Sequence, residues 1–409
     1  MNRGDGLIKS LLINNSLLII HFAVTGLVPI LLIPHFIRTI GLDLYGEIAI
    51  GLSFSAYASI IVQYSFDLSG PRFLAEVDSE IKKKEVFFCV IFSRLLLFSI
   101  VSLIFALLVY FLSQKIELKK MILYLFLPAG TVFDSSWYLQ YVNRFSVITF
   151  VSIVSIAFSF FVGFGFVLSP DDDLLALFSL TLGSVLSGFG TFAAAIYIQK
   201  SEKLKIDWSK IFKYLREGRS VFFSQFIASL YAFSGPVIVG SFVSSSAAGA
   251  YSAIERIVRG VTGLCQLTHA AAYPRLTRLY SCDKVSYSRL LKFVIGLYFV
   301  SASLFLIFVT LFKGEVVGFV LGEGSDIYGH LLWWGVLLVF LGIAGPVITG
   351  YYIVSGQDKE VYRLTMKVLF LSLGLGIPGV NIFGPWAFFG ALAAAQIFVL
   401  WEGWRVFKV

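Results

Sequence analysis

Charge is scarce in this sequence. Asp, Glu, Lys and Arg make up 14% of its 409 residues, against about 25% in an ordinary soluble domain, too few to cover a water-facing surface. Cysteine is scarcer still. The three present, Cys89, Cys265 and Cys282, are odd in number and lack C-x-x-C or Cys/His spacing, which excludes a disulfide framework and a zinc site. The histidines are His21, His35, His269 and His330, with no H-E-x-x-H pair, so His21 and His269 read as buried hydrogen-bonding groups and not as metal ligands. No G-x-x-x-x-G-K-[ST] occurs, and no loop is long enough for a nucleotide-binding domain, so ATP is not the direct energy source. No cofactor is expected.

Apolar residues fill the space that charge leaves. The chain is 58% hydrophobic and 17% aromatic, with mean hydropathy +0.88. A bilayer core about 30 Å thick takes roughly 20 apolar residues per helix. Breaks at charged or Gly/Pro-rich stretches separate twelve such windows, near 11–33, 46–66, 86–111, 121–141, 145–168, 174–198, 218–242, 247–273, 289–312, 330–355, 365–383 and 386–407. The first follows Arg3 and Lys9 but runs longer than the apolar stretch of a signal peptide, so it reads as an uncleaved first span. If the chain starts inside, 24 of the 32 Lys and Arg fall in cytoplasmic segments and five in the opposite ones. That bias predicts cytoplasmic termini.

The longest connection, Gln199 to Glu217, divides the chain into a six-helix lobe over 1–200, a linker over 201–217 and a second six-helix lobe over 218–409. In the linker Leu204, Trp208, Ile211, Phe212 and Leu215 alternate at helical spacing with Lys203, Lys205, Lys210 and Lys213, the pattern of a basic interfacial helix on anionic lipid. The halves repeat. Gly46 precedes Pro71-Arg72 by 25 residues, and Gly249 precedes Pro274-Arg275 by 25. Tyr45 and Tyr251 flank those glycines, and Pro29 and Pro236 occupy similar places. Six spans per repeat give both copies one orientation, hence an all-α integral membrane protein of about twelve helices in two pseudo-symmetric lobes around a central cavity.

Ionisable residues at membrane depth are the functional candidates, because a charge there must be paired or hydrated. Glu255 and Arg259 fall about 12 and about 18 Å below the outer surface at about 1.5 Å per residue, and at i,i+4 they can pair on one face. Arg256 points about 100° away, and Arg94 is similarly deep. A cationic cluster of Arg256, Arg259 and Arg94 in a cavity would suit a diphosphate, since guanidinium forks match phosphate oxygens. An intrahelical ion pair with arginines reaching a boundary is the other reading. Asp134, before Ser135 and Ser136, is either a protonatable carboxyl for ion coupling or the cap of a helix irregularity after Pro128. Glu255 is the second coupling candidate. Asn14, Asn15 and His21 in span 1, and Ser224, Gln225, Ser229 and Tyr231 in span 7, either bond between helices or line a cavity. Asp171-Asp172-Asp173 reads as a solvated turn rather than a metal site.

The motifs Arg38-Thr-Ile-Gly41-Leu-Asp-Leu-Tyr45-Gly46, Tyr64-Ser-Phe-Asp67-Leu-Ser-Gly-Pro71-Arg72, Glu217-Gly218, Gly249-Ala-Tyr251-Ser-Ala-Ile-Glu255-Arg256-Ile-Val-Arg259 and Tyr273-Pro274-Arg275 resemble those of O-antigen flippases of the Wzx type. These form the polysaccharide-transporter branch of the multidrug/oligosaccharidyl-lipid/polysaccharide exporter superfamily. After Trp137-Tyr-Leu-Gln140 the family often continues with glycine and a glutamate, where this chain has Tyr141 and Asn143, so no role of that glutamate carries over. The resemblance implies a bacterial inner-membrane protein, not an enzyme, that moves undecaprenyl-diphosphate-linked oligosaccharide from the cytoplasmic to the periplasmic leaflet, and the two-lobed repeat implies alternating access. With no nucleotide motif, the drive is an ion gradient, of H+ or Na+, or consumption of product outside. A polysaccharide polymerase and a chain-length regulator would be its partners. A cation-coupled drug exporter shares the fold but would favour acidic residues in its cavity. A membrane polysaccharide polymerase would need a long outer catalytic loop.

Overall fold

The computed structural model describes residues 24, 26, 28, 30–111, 117–199, 208–322 and 328–403. Among them every regular element is a helix. Nine helical stretches are long and apolar enough to cross a membrane, and a shorter apolar helix, α1, covers Ile30–Ile40. The passes at 118–141 and 245–282 fall outside the nine, the first because it is broken and the second because charge interrupts its apolar run. With these two the passes among the described residues number eleven, and the short α1 precedes them. The first expected span, with Asn14, Asn15 and His21, lies largely outside the described residues, as does Pro29.

Several passes are interrupted. Helix α2 (Leu42–Gln63) gives way to α3 (Phe66–Ala75) across Tyr64 and Ser65, both left-handed at φ 48° and 67°. After α4 (Glu80–Phe111), helix α5 (Leu118–Phe133) ends at Asp134, and the short α6 (Ser136–Tyr141) completes that pass. Two unbroken passes follow, α7 (Phe145–Phe166) and α8 (Asp173–Gln199). Helix α9 (Trp208–Ala232) then breaks before α10 (Gly235–Phe242). Broken helices are tolerated at membrane depth only where neighbours satisfy the freed backbone groups.

By packing, the described residues fall into two compact units, one formed by Gly51–Phe233 and the other by Ile30–Ile50 together with the chain from Ser234 onward. In the first unit, α5 and α8 approach closely. A Cβ on Gly188 would lie 2.1 Å from the carbonyl oxygen of Gly130, so only glycine permits this contact. Lipid is as apolar as leucine, so such close packing, rather than escape from water, holds the helices together. Phe87 anchors an aromatic core, stacked on Trp137 at 5.8 Å and edge-on to Tyr138 at 5.1 Å. The linker, described from Trp208, is the start of α9 and runs without a break into the seventh pass. Its apolar side chains divide: Ile211 is buried in the unit, while Trp208 and Phe212 are exposed. Lys210 ties this end to Glu85 of α4 at 2.7 Å.

The second unit is built on two long helices, α11 (Ser245–Cys282) and α12 (Lys284–Leu321). Asp283 alone separates them and caps α12, accepting from the N–H groups of Val285 and Ser286 at 3.0 Å; the Ser286 hydroxyl, donating to it at 2.6 Å, does most to hold its carboxyl below the usual range, and the N–H bonds add to this. Then come α13 (Gly329–Leu341), α14 (Ala344–Val354), α15 (Asp358–Phe383) and α16 (Trp386–Gly403). Tyr251 of α11 is fully buried and stacks on Phe389 of α16 at 4.3 Å. Large apolar side chains such as Phe150, Phe161, Leu304 and Leu311 are exposed on α7 and α12, as lipid-facing surfaces require.

Candidate functional site

The deep charges form two clusters, one in each unit. In the first, Arg94 projects from the middle of α4 and is 1% exposed. Its Nη1 donates to the carbonyl oxygens of Asp134 at 2.5 Å and Thr131 at 3.3 Å, groups freed where α5 ends. The Arg94 guanidinium also lies 6.0 Å from the centre of the Phe66 ring. The carboxylates of Asp134 and Asp67 are near enough to act on its charge.

Asp134 supplies the other half of the break. Its Oδ1 accepts from Ser136 N–H at 3.0 Å and Ser136 Oγ–H at 2.6 Å, starting α6. Thr191 of α8 donates to the same oxygen at 3.3 Å and accepts from Ser135 N–H at 3.1 Å. This is the geometry of the capped irregularity, one of the two readings of Asp134. Arg94 and Asp134, 40 residues apart, thus meet through backbone, with the guanidinium turned to carbonyls.

The second cluster stands on α11. Ser244 starts the helix by accepting from Ala247 N–H at 3.1 Å. Glu255 is buried at 8% exposure, and its Oε1 accepts from Arg259 Nη2 at 2.8 Å. The Arg259 side chain is 41% exposed, so the pair has one buried and one accessible end. Arg256, one residue after Glu255 and so about 100° round the helix, is half-buried on another face.

Sequence spacing did not reveal the neighbour on that face. Tyr45 of α2 is fully buried, with Ser252, Glu255 and Arg256 as its polar surroundings. It reaches them because α2 and α11 touch at Gly46 and Gly249, where side chains would not fit. The Asp43 carboxylate accepts from Ser246 Oγ–H beside that contact. The Tyr45-Gly46 pair was visible in the motif, but not its partner helix.

Of the other candidates, His269 is buried beside Tyr273, ring centres 5.9 Å apart. Asp172 closes its turn by accepting from the N–H groups of Leu168 and Ser169 at 2.9 and 2.8 Å, and those bonds hold its carboxyl below the usual range. Asp173 pairs with Lys120 at 2.7 Å. Among the described residues no group of three or more His, Cys, Asp and Glu side chains could hold a metal ion.

A family profile described as "Polysaccharide biosynthesis protein" matches residues 11–280. A candidate O-antigen transporter of Escherichia coli (strain K12) is 27% identical over 270 residues, 65% of each chain. The matched stretch therefore spans just under two thirds of that relative's length. A candidate O-antigen transporter of Shigella dysenteriae is 19% identical over 379 residues, 91% of this chain and 94% of its own. Among solved structures, the lipid II flippase MurJ in an inward closed conformation matches with TM-score 0.66 at 15% identity, over 97% of this chain and 86% of its own. That likeness is one of fold and bears out the all-α membrane architecture. By name these proteins are transporters or flippases, not enzymes.

Proposed function

This chain belongs to the polysaccharide biosynthesis protein family, and we propose that it moves a lipid-linked oligosaccharide from the cytoplasmic to the periplasmic leaflet of a bacterial inner membrane. The cargo in this reading is an undecaprenyl-diphosphate-linked O-antigen repeat unit or similar surface glycan. The observation that carries it is the Glu255–Arg259 pair, with a buried carboxylate, an accessible guanidinium and Arg256 one residue away. Arg259 offers a planar fork to a diphosphate, and Arg256 adds positive charge nearby. Arg94, engaged with Thr131 and Asp134, would meet phosphate only in an arrangement that releases those carbonyls.

Movement is by alternating access, with H+ or Na+ biasing its direction. Protonation of Glu255 would free Arg259 for the diphosphate, and deprotonation would restore the pair and favour release. Asp134 is the second coupling candidate. Both termini and the start of α9 face the cytoplasm in this reading, and a polymerase and a chain-length regulator act on the delivered glycan. Deletion of the gene tests the proposal. Loss of surface glycan with lipid-linked repeat units accumulating inside supports it. Normal display with gained sensitivity to cationic drugs would instead indicate a drug exporter.

A further inference from the structure

Where α11 turns into α12 in the second unit, an open groove of about 420 Å³ lies along the start of α12, lined by Lys284, Val285, Ser288, Arg289 and Lys292. Steps of four residues put Lys284, Ser288 and Lys292 in one row and Val285 and Arg289 in the next. Lys284, Arg289 and Lys292 are exposed, and among the described residues none of the three forms an ion pair with a carboxylate. Other basic residues do: Lys210 pairs with Glu85, Arg363 with Glu360 and Lys367 with Glu402. Asp283, the acid beside the groove, is turned into the α12 cap, where Val285 N–H, Ser286 N–H and the Ser286 hydroxyl occupy both its oxygens. Arg289 is near enough to act on its charge without pairing. Three cations therefore line the groove against one acid that is already satisfied.

Its surroundings point to the partner. Tyr280 meets Tyr287 edge-on at 5.4 Å and Tyr351 at 5.7 Å, and the Lys284 ammonium lies 6.0 Å from the centre of the Tyr280 ring. Tyrosines gather at the headgroup level of a bilayer, with the ring in the boundary and the hydroxyl in water. Beyond Lys292, the residues Gly296, Phe299, Val300 and Ile307 continue the same face of α12. The last three are exposed, and nothing lies within 4 Å of a Cβ added to Gly296. The face thus passes from positive charge to open apolar surface, the profile of a phospholipid with phosphate at one end and acyl chains at the other. From Lys284 to Lys292 the cations spread over about 12 Å of helix axis at about 1.5 Å per residue, which matches a layer of headgroups better than one compact diphosphate. Lys292, the deepest, can reach that layer along its aliphatic stem.

We propose that the start of α12 is a docking surface for anionic phospholipid of the cytoplasmic leaflet, with Arg289 and Lys292 on the headgroup phosphate and the acyl chains along Gly296, Phe299 and Val300. The choice of leaflet rests on the proposed orientation, in which the α11–α12 turn faces the cytoplasm; the chemistry of the surface is independent of the cargo. Its attraction for lipid is electrostatic and weakens with salt. Bound lipid would fix the depth of α11, which carries Glu255 and Arg259.

The test titrates the full-length protein, purified in detergent and stripped of lipid, with phosphatidylglycerol and with phosphatidylcholine of the same acyl chains. The wild type should bind phosphatidylglycerol at least about tenfold more tightly. Lys284→Gln, Arg289→Gln and Lys292→Gln together should abolish that preference, at exposed positions where the melting temperature should not change. Arg363→Gln, which removes an exposed cation already paired with Glu360, should keep it. Inorganic phosphate should displace the lipid no better than chloride at equal ionic strength, and undecaprenyl diphosphate should bind the triple variant as it binds the wild type. The docking surface is overturned if the wild type binds both phospholipids equally, if the triple variant retains the preference, or if Arg363→Gln loses it as fully. Specific displacement by phosphate would make it a free-phosphate site, and loss of undecaprenyl diphosphate binding in the triple variant would make it part of the cargo site; either overturns the proposal. The assay reads no transport, so its failure leaves the carrier reading untouched.

Discussion

Gly46 and Gly249, which hold matching places in the two sequence repeats, pack directly against each other's helices. A Cβ on Gly46 would fall 1.8 Å from the carbonyl oxygen of Ser245, and one on Gly249 would fall 2.5 Å from that of Leu42. Both obstacles are backbone, so neither can swing aside. This contact sets Tyr45 beside Ser252, Glu255 and Arg256.

Gly46→Ala should therefore destabilise the protein by about 1–3 kcal/mol, the usual cost of overpacking. Gly263→Ala, where nothing lies within 4 Å of the added atom, should be neutral or stabilise by up to about 1 kcal/mol through helix propensity. Thermal unfolding in detergent compares them. Equal melting temperatures for the two variants would contradict the close crossing.

The repeat was legible in the sequence because it lies in spacing, and the deep charges because they interrupt apolar runs. Their partners were not. Gly46 and Gly249 looked like equivalents, and nothing in a one-dimensional pattern says that equivalents touch. Arg94 and Asp134 stood out separately, but the bond between them runs to a backbone carbonyl, which carries no residue signature. Asp67 and Gln225, 158 residues apart, were part of a motif and of a polar stretch, and nothing in either pattern paired them.

At the α5–α6 break, the geometry predicts different outcomes for two replacements of Asp134. Asn keeps an oxygen that can accept from Ser136, so stability should hold within about 0.5 kcal/mol, whereas Ala should cost about 0.5–2 kcal/mol, as for a lost helix cap. Arg94→Leu should cost about 1–3 kcal/mol by leaving buried carbonyls unpaired. Chemical denaturation measures all three. Transport by Asp134→Asn that keeps its dependence on an ion gradient would assign the carboxylate to capping alone.

The topology makes a simple accessibility prediction. In a background without the native cysteines, Asp172→Cys should react with an impermeant thiol reagent applied from the periplasmic side. Lys210→Cys should react only after the membrane is opened. The reverse pattern would invert the orientation drawn from basic-residue bias.

For the diphosphate site, Arg259→Ala should weaken binding of the lipid-linked saccharide about tenfold or more, a hydrogen bond to a charged group being worth about 1.5–3 kcal/mol. Arg259→Lys should recover part of it, since lysine keeps the charge and loses the fork. Binding can be followed with purified protein at matched folding quality. Unchanged affinity in the Ala variant would place the phosphate elsewhere.

Translocation itself is the most direct measurement. Purified protein reconstituted into liposomes with undecaprenyl-diphosphate oligosaccharide should carry the saccharide between leaflets, read by its accessibility to an impermeant glycosidase or lectin. The rate should respond to an imposed ion gradient, and Glu255→Gln should remove that response while preserving binding. No transfer above protein-free liposomes, under conditions where the folded protein binds the lipid, would contradict the proposed function.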